Sequence, residues 1–577
     1  MKLTKIDRTN SDSSSSITLI GTGSLGGKAK GLVDMNDILE SQFNREEFQQ
    51  FEVSIPPLTI LRSDVFDSFM DRNNLYEIAY SERTDERIAH AFQNADLPFE
   101  VLGDLRRICN KSRTPFAVRS SSKLEDAMYE PFAGIYATKM TPNNQHDEDS
   151  RFRKLIESIK FVYASTYFKA SKDYMLATDH HIEDEKMSVI IQDVVGSRNS
   201  DRFYPELSGV ARSYNFYPVG RAKPEDGVVN FALGLGKTIV DGGVSWAYSP
   251  SFPKITPPFG SISEMLKQTQ LEYWVINMGK LPAYNPIKET EYMLKEHLTS
   301  AEKDGSLKYL ASTVDRDSGQ LRIGIGADGP RVLTFAPLLT MNDIPINGLI
   351  KKLLKICEET LKAPVEIEFA VTFSNTKVQN VKHKFGFLQV RPMVVSNEEV
   401  LIAEDELYEK NILAASENSL GNGTLSNLSD IVFVKPEVFE AKYTQRISEE
   451  LKSINKKLID QKTHYLLIGF GRWGSSDPWL GIPVDWSNIS GAKVIVEATL
   501  ENMNVELSQG SHFFHNLTSF NVPYFSIPFS GKYSIDWDWL SEQELISETD
   551  FVKHVKLSAP LLIKVDGKTG RGLIIKN

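Results

Sequence analysis

Residues 115–138, PFAVRSSSKLEDAMYEPFAGIYAT, decide how the chain reads. The apolar opening predicts a strand that ends on Arg119, followed at once by Ser120, Ser121 and Ser122. A guanidinium is a rigid fork of donors, and three hydroxyls beside it suit a ligand rich in oxyanions. A plainer use for Arg119 is a pair with Glu125 or Asp126.

Segments of the same chemistry lie on both sides. Upstream, SITLIGTG reads as a short strand entering a glycine turn, and KAKGLVDMNDILESQF as the helix after it. That order puts Lys28 at a helix start, where free amides and the helix dipole favour phosphate. FEVSIPPLTILRSDVFDSFM reads as strand, Pro-Pro turn and helix, and MSVIIQDVV as a buried strand carrying Gln192. Downstream, GLIKKLLKICEETLKAPVEIEFAVTF is an amphipathic helix and a strand, and KFGFLQVRPMVV is a strand that pairs with it. The strand period of two puts Glu366 and Glu368 on one face, where two carboxylates can share a metal. It puts Gln389 and Arg391 on one face in the same way. LRIGIGADGPRVLTF reads as a hairpin turning at Asp-Gly.

The chain has 577 residues, too many for one core, so two to four domains are expected. Hydrophobic residues make up 41% and charged residues 24%, which suits a globular protein rather than a disordered one. The net charge of −11 argues against nucleic acid or an anionic membrane as the main partner, while leaving room for a local basic cleft. Cys109 and Cys357 are the only cysteines. Two distant thiols make neither a disulfide framework nor a zinc site, and predict a reduced, cytoplasmic protein. The polar, serine-rich residues 1–16 read as a flexible tail without an apolar signal core.

Two phosphate motifs fail on inspection. Gly21-x-Gly23-x-x-Gly26 sits between a strand and a helix, as a dinucleotide fingerprint does. The acidic residue that should close the next strand is missing from FEVSIPPLTI, so a nicotinamide-linked dehydrogenase rests on the glycines alone. LGLGKT resembles the end of a Walker loop, but Phe231 stands where that loop needs a glycine.

The order of the remaining motifs resembles the ATP-binding domain of the phosphoenolpyruvate synthase and pyruvate phosphate dikinase family. Gly26-Gly27-Lys28, SIPPLTILRSDVF, VRSSSKLEDAMYEPFAG, SVIIQDVV with LSGVA, GLGKTIVDGGVSWAYSP, and the closing pair EIEF and LQVRP follow the family's order over residues 18–395. The resemblance implies a mixed α/β, two-lobed ATP-grasp-like domain over residues 17–396, with lobes of about 17–185 and 186–396, that holds Mg-ATP. It implies that Lys28, Arg119, Gln192, Gln389 and Arg391 bind the nucleotide, with Arg119 also stabilising the transferring group. Glu366 and Glu368 would hold Mg2+. Lys237 departs from the family's acid in GLGE, and Glu366 stands for an aspartate.

Residues 397–410 read as a linker, and 411–577 as a divergent α/β swivelling domain. GSHFFHNLTSFNVPYF fits the spacing of the family's phosphohistidine segment, with His512 on the acceptor histidine. VDGKTGRGLIIKN resembles that domain's final hairpin. His512 is therefore the expected catalytic nucleophile, with His515 as a second candidate, and pyruvate or a separate acceptor protein is the expected destination of the phosphate. Phe513 and Phe514 stand where the family has small residues, so His512 has a second reading as a helix cap in an aromatic core. Ending at Asn577, the sequence does not reach the family's barrel domain, and a complete synthase in one polypeptide is not expected. The alternative function is a nucleotide-binding regulatory protein that has lost transfer. GFGRWGSSDPWLGIPVDW, residues 469–486, is either a ligand or docking surface or a stiff aromatic turn.

Overall fold

The structure, a computed structural model, describes residues 17–122, 125, 135–176, 181–216, 218, 221–240, 244–255, 261–374, 382–393, 395, 400–475, 477–503, 505, 507–508, 517 and 522–577. It is mixed α/β throughout.

Two sheets build the region around Arg119. The first has the order Ile17–Ile20, Leu58–Leu61, Met187–Asp193, Phe116–Ser122, Thr138–Thr141. Its middle strands are apolar on both faces because helices cover it, chiefly Glu148–Ser165, which buries Leu155, Ile159 and Val162. The second has the order Trp246–Tyr248, Val228–Ala232, Leu207–Arg212, Val365–Thr372, His383–Pro392, Phe51–Ser54. The helix Ile346–Leu361 packs on it through Leu349, Ile350, Leu353 and Cys357, the i, i+3, i+4 stripe expected of an amphipathic helix.

The chain crosses between the sheets at Pro56-Pro57. Phe51–Ser54 pairs in parallel with His383–Pro392 in the second sheet, whereas Leu58–Leu61 pairs with Ile17–Ile20 and Met187–Asp193 in the first. The first sheet thus takes Met187–Asp193 from beyond residue 185, and the second takes Phe51–Ser54 from before it.

The expected hairpin over 321–335 is replaced by a different pairing. Leu321–Ile323 and Arg331–Leu333 do not pair with each other; Ala311–Val314 lies between them. The tight turn falls instead after Val314. There the Asp315 carboxylate accepts from the amides of Asp317 and Ser318, and Gly319 takes φ 64°.

Beyond residue 411 a further sheet runs Ile412–Ser416, Arg571–Ile575, Val552–Asp566, Gly423–Val434, Tyr465–Phe470, Ala492–Ala498, Tyr524–Ile527, Ser419–Leu420. Its segment from Gly423–Val434 to Tyr524–Ile527 is parallel, with the helix Thr444–Asp460 as the first crossover. The helix Lys169–Leu176 lies against its turn Trp486–Asn488. Among the described residues no helix is long and apolar enough to cross a membrane.

Candidate functional site

The helix Gly27–Ser41 begins where Gly26, at φ 76°, runs so close to Phe116–Ser122 that a Cβ would lie 1.9 Å from the Ser121 carbonyl oxygen. Only glycine fits there. Ser121 Oγ accepts from the Ala29 amide at 3.0 Å and donates to the Leu25 carbonyl at 3.0 Å, pinning the helix start to the strand. The same helix meets the second sheet, with Gly31 close to the Val390 carbonyl.

Lys28 is not solvated, as a surface-helix lysine would be. It is buried, and its Nζ lies 2.8 Å from Glu125 Oε1. The Glu125 carboxylate also accepts from Ser120 Oγ at 2.7 Å and the Ser122 amide at 3.0 Å. The carboxylate considered above as a partner for Arg119 therefore belongs to Lys28, because alternation along the strand sends Ser120 and Ser122 to the opposite face from Arg119.

Arg119 reaches across to the second sheet. Its Nη1 donates to the Leu388 carbonyl at 2.9 Å and to Gln192 Oε1 at 3.4 Å, and its Nη2 donates to Gln389 Oε1 at 2.6 Å. Glu368 Oε2 lies 3.7 Å from the same Nη2. One guanidinium thus joins residues 270 positions apart and ties the two sheets together.

On the second sheet, Glu366 stands in register with Arg212 on one side and Arg391 on the other; Glu368 faces Gln389. Arg212 Nε donates to Glu366 Oε2 at 2.6 Å, and Arg391 Nε to Glu366 Oε1 at 2.8 Å. Glu366 is thereby held between two guanidinium groups, with its side chain 3% exposed. The expected face-sharing of Glu366 with Glu368 and of Gln389 with Arg391 is present, but the two carboxylates have different surroundings. Among the described residues no group of three or more His, Cys, Asp or Glu side chains is arranged to hold a metal ion.

Lys237 starts a short helical turn and lies 3.8 Å from Glu289, which also accepts from the Thr138 amide. The neighbouring Lys139 is buried against Glu291 at 2.7 Å and under the Phe161 ring. Burial lowers its ammonium pKa, and Glu291 opposes that shift. Residues 288–291 therefore hold the edge strand Thr138–Thr141 of the first sheet. His512 and His515 lie outside the described residues.

The sequence did not single out Arg212 or Glu289, and Glu125, weighed only as a plainer partner for Arg119, pairs with Lys28 instead. Arg212 had a signal: it closes the apolar run of LSGVAR as Arg119 closes that of FAVR, although the strand through Arg119 continues to Ser122. Glu289 had none, since its partners are 52 and 151 positions away or lie on other elements.

The region fits a ligand rich in oxyanions on its own terms. Four cations, Lys28, Arg119, Arg212 and Arg391, come from two sheets and the helix start between them. Gln192 is 2% exposed, and its Nε2 donor has no hydrogen-bond partner among the described residues. Such a buried donor is costly unless a ligand or water meets it.

Fold and site together define a nucleotide-binding domain of phosphotransferase type. Residues 22–411 match the family described as pyruvate phosphate dikinase, AMP/ATP-binding domain, and the chain belongs to that family. ATP is the ligand of the domain, and phosphotransfer of the pyruvate phosphate dikinase and phosphoenolpyruvate synthase type is the activity at family level. A comparison with curated proteins gives no match.

Proposed function

We propose that the cleft binds Mg-ATP and that a phosphoryl group passes from it to His512, for delivery to pyruvate or a separate acceptor protein. The observation that carries this reading is the Arg119 network, which converges with Gln192, Gln389 and Glu368 at the junction of the two sheets. Arg119 would neutralise charge on the transferring group, and Lys28 and Arg391 would hold the other phosphates. The orphaned Gln192 donor would meet the nucleotide. Glu368 is the better candidate for the first magnesium contact, since its only close cation in the described structure is 3.7 Å away while Glu366 is held by two. Bound Mg2+ would supply charge neutralisation between the phosphates. Neutral imidazole at His512 would be the nucleophile, carried on a domain of swivelling type over residues 411–577.

A second reading, nucleotide-gated regulation without transfer, is favoured by the Lys237–Glu289 pair, which puts a cation where the family has an acid. The test is incubation with Mg-ATP labelled at the β-phosphate, for wild type, His512→Ala and His515→Ala. Acid-labile, base-stable label lost only in His512→Ala supports the relay. No label on any variant, with ATP still bound, removes it and leaves regulation.

A further inference from the structure

The family match ends at residue 411, and the sheet beyond it carries a buried carboxylate that the nucleotide cleft does not use. In that sheet Ala492–Ala498 and Tyr524–Ile527 are adjacent and parallel. The connection between them, residues 499–523, therefore leaves the carboxyl end of one strand and returns to the amino end of the other. His512 is carried on that connection.

Glu497 is the second-last residue of its strand and is fully buried. Its carboxylate accepts from the Ser508 amide at 2.7 Å, from Ser508 Oγ at 2.9 Å and from the Tyr524 hydroxyl at 2.6 Å. Ser508 Oγ and the Tyr524 hydroxyl lie 3.5 Å apart. One carboxylate thus takes hydrogen bonds from the chain on both sides of residues 509–523. Hydrogen bonds to an ionised acceptor are shorter and stronger than those between neutral groups. Burial pushes the Glu497 carboxyl up; the bonds from Ser508 and Tyr524, and behind them the charge on Arg472, oppose the shift.

The strand end that carries Glu497 is itself fixed. Gly469 stands beside Glu497 in register, and the Trp473 ring fills the space where its side chain would be; a Cβ would lie 2.3 Å from that ring. Trp473 Nε1 donates to the Val496 carbonyl at 3.1 Å, and the Gly471 amide to the Ala498 carbonyl at 2.9 Å. On the other side the Thr499 amide donates to the Ile527 carbonyl at 3.3 Å, and Thr499 Oγ1 accepts from the Phe529 amide at 2.9 Å. A group seated on rigid strands with its neighbours bonded in this way can hold another segment in one place.

We propose that Glu497 is the positioning residue of the segment that carries His512: its carboxylate fixes the chain at Ser508 and at Tyr524, and so sets where the imidazole is presented to the transferring phosphoryl group. The inference rests on the reading of His512 as the acceptor. Glu497 forms no bond to the transferred group and gives up no proton. A misplacement of about 1 Å caused far from the chemistry can cost roughly a hundredfold in rate. Loss of the clamp therefore acts on the transfer step and leaves ATP binding in the cleft unchanged.

The test is single-turnover labelling of the full chain with saturating Mg-ATP labelled at the β-phosphate. Wild type is compared with Glu497→Ala, Glu497→Gln, Tyr524→Phe and the double variant Glu497→Ala, Tyr524→Phe. The rate constant for label on His512 should fall about a hundredfold in Glu497→Ala, with ATP affinity by calorimetry unchanged. Glu497→Gln keeps an acceptor oxygen and should recover most of the rate. Tyr524→Phe should lower it roughly tenfold and cost little more on top of Glu497→Ala, because both act through one carboxylate. A carboxylate kept only for stability would lower the labelled fraction with the folded fraction and leave the rate constant alone. The same proteins are treated with diethyl pyrocarbonate, which needs no ATP. Modification of His512 should be roughly tenfold faster in Glu497→Ala, with the exposed His297 as the unchanged control. If wild type takes no label while His512 modification responds to Glu497→Ala, the relay falls and the clamp stands. The proposal is overturned if folded Glu497→Ala labels at the wild-type rate, or if its effect and that of Tyr524→Phe add in full. It is equally overturned if wild type takes no label and Glu497→Ala leaves the modification of His512 unchanged. Should Glu497→Ala fail to fold, Tyr524→Phe decides, and wild-type rates of labelling and modification in that variant overturn the proposal.

Discussion

Replacing Glu366 with alanine should destabilise the nucleotide-binding region strongly, and the structure sets the size of the effect. Glu366 is 3% exposed at its side chain; Arg212 and Arg391 are 13% and 12% exposed and bond to it at 2.6 and 2.8 Å. Removing one partner of a buried pair leaves an uncompensated charge at a cost of about 3–5 kcal/mol. Here two guanidinium groups lose their shared partner, though Arg212 keeps a contact with Asn230 Oδ1 at 3.3 Å. For a cooperative unit on the order of 400 residues, an unfolding entropy of about 0.8 kcal/mol/K turns that loss into a fall of about 4–6 °C in Tm. Glu366→Gln keeps the shape and one carbonyl acceptor, and should lose about half as much. The triple variant Glu366→Leu, Arg212→Leu, Arg391→Leu removes every charge at once and should lie near wild type in stability. Scanning calorimetry of the four proteins, backed by urea unfolding, measures the set. A Glu366→Ala protein within about 1 °C of wild type would refute the reasoning, as would a triple variant no more stable than the single one.

The Lys28–Glu125 pair should behave likewise, with both partners buried and 2.8 Å apart. Lys28→Met should cost about 3–5 kcal/mol, because Glu125 keeps Ser120 and Ser122 as donors but loses its counter-charge. Adding Glu125→Gln should recover most of that loss, a coupling that a double-mutant cycle in urea would read as additive if the pair were unimportant. Glu206 supplies a pH dependence. Burial pushes its carboxyl from 4.5 up to about 7, opposed by the Phe373 amide and Ser197. The native state holds that proton to higher pH than the unfolded chain. Its contribution is full below pH 4.5 and is lost as pH rises toward about 7, by at most ~3 kcal/mol. Glu206→Gln should flatten that slope and be more stable than wild type at alkaline pH; equal urea midpoints for the two proteins across this range would exclude the effect.

What was legible in the sequence was local. The period of two put Glu366 with Glu368 and Gln389 with Arg391, and the paired strands carry them opposite one another. The glycine before Lys28 announced a helix start, and Gly26 and Ser121 make one. Partner choice was not legible, because it depends on which face of Phe116–Ser122 meets which element. Arg119 therefore went to Gln389 and Leu388 rather than Glu125. The 311–333 segment shows a subtler failure. Asp-Gly is a good hairpin turn, but Asp315 with Gly319 closes another turn first and claims the central strand. The Glu497 cluster joins residues from a strand, a loop and the next strand, and no spacing rule reaches across them.

The exchange of strands between the two sheets also governs how the protein can be made. Among the described residues, Phe51–Ser54 has its only sheet partner in His383–Pro392, about 330 residues later in the chain. At about 5–20 residues per second, that partner leaves the ribosome roughly 15–70 s after the strand it must receive. During that interval the second sheet lacks an edge, and Phe51 and Val53, both buried in the finished protein, lack the strand that pairs beside them. The nascent chain is therefore expected to need a holding chaperone over this window. Fragments cut near residue 185 should stay insoluble apart and recover only when both halves are present together.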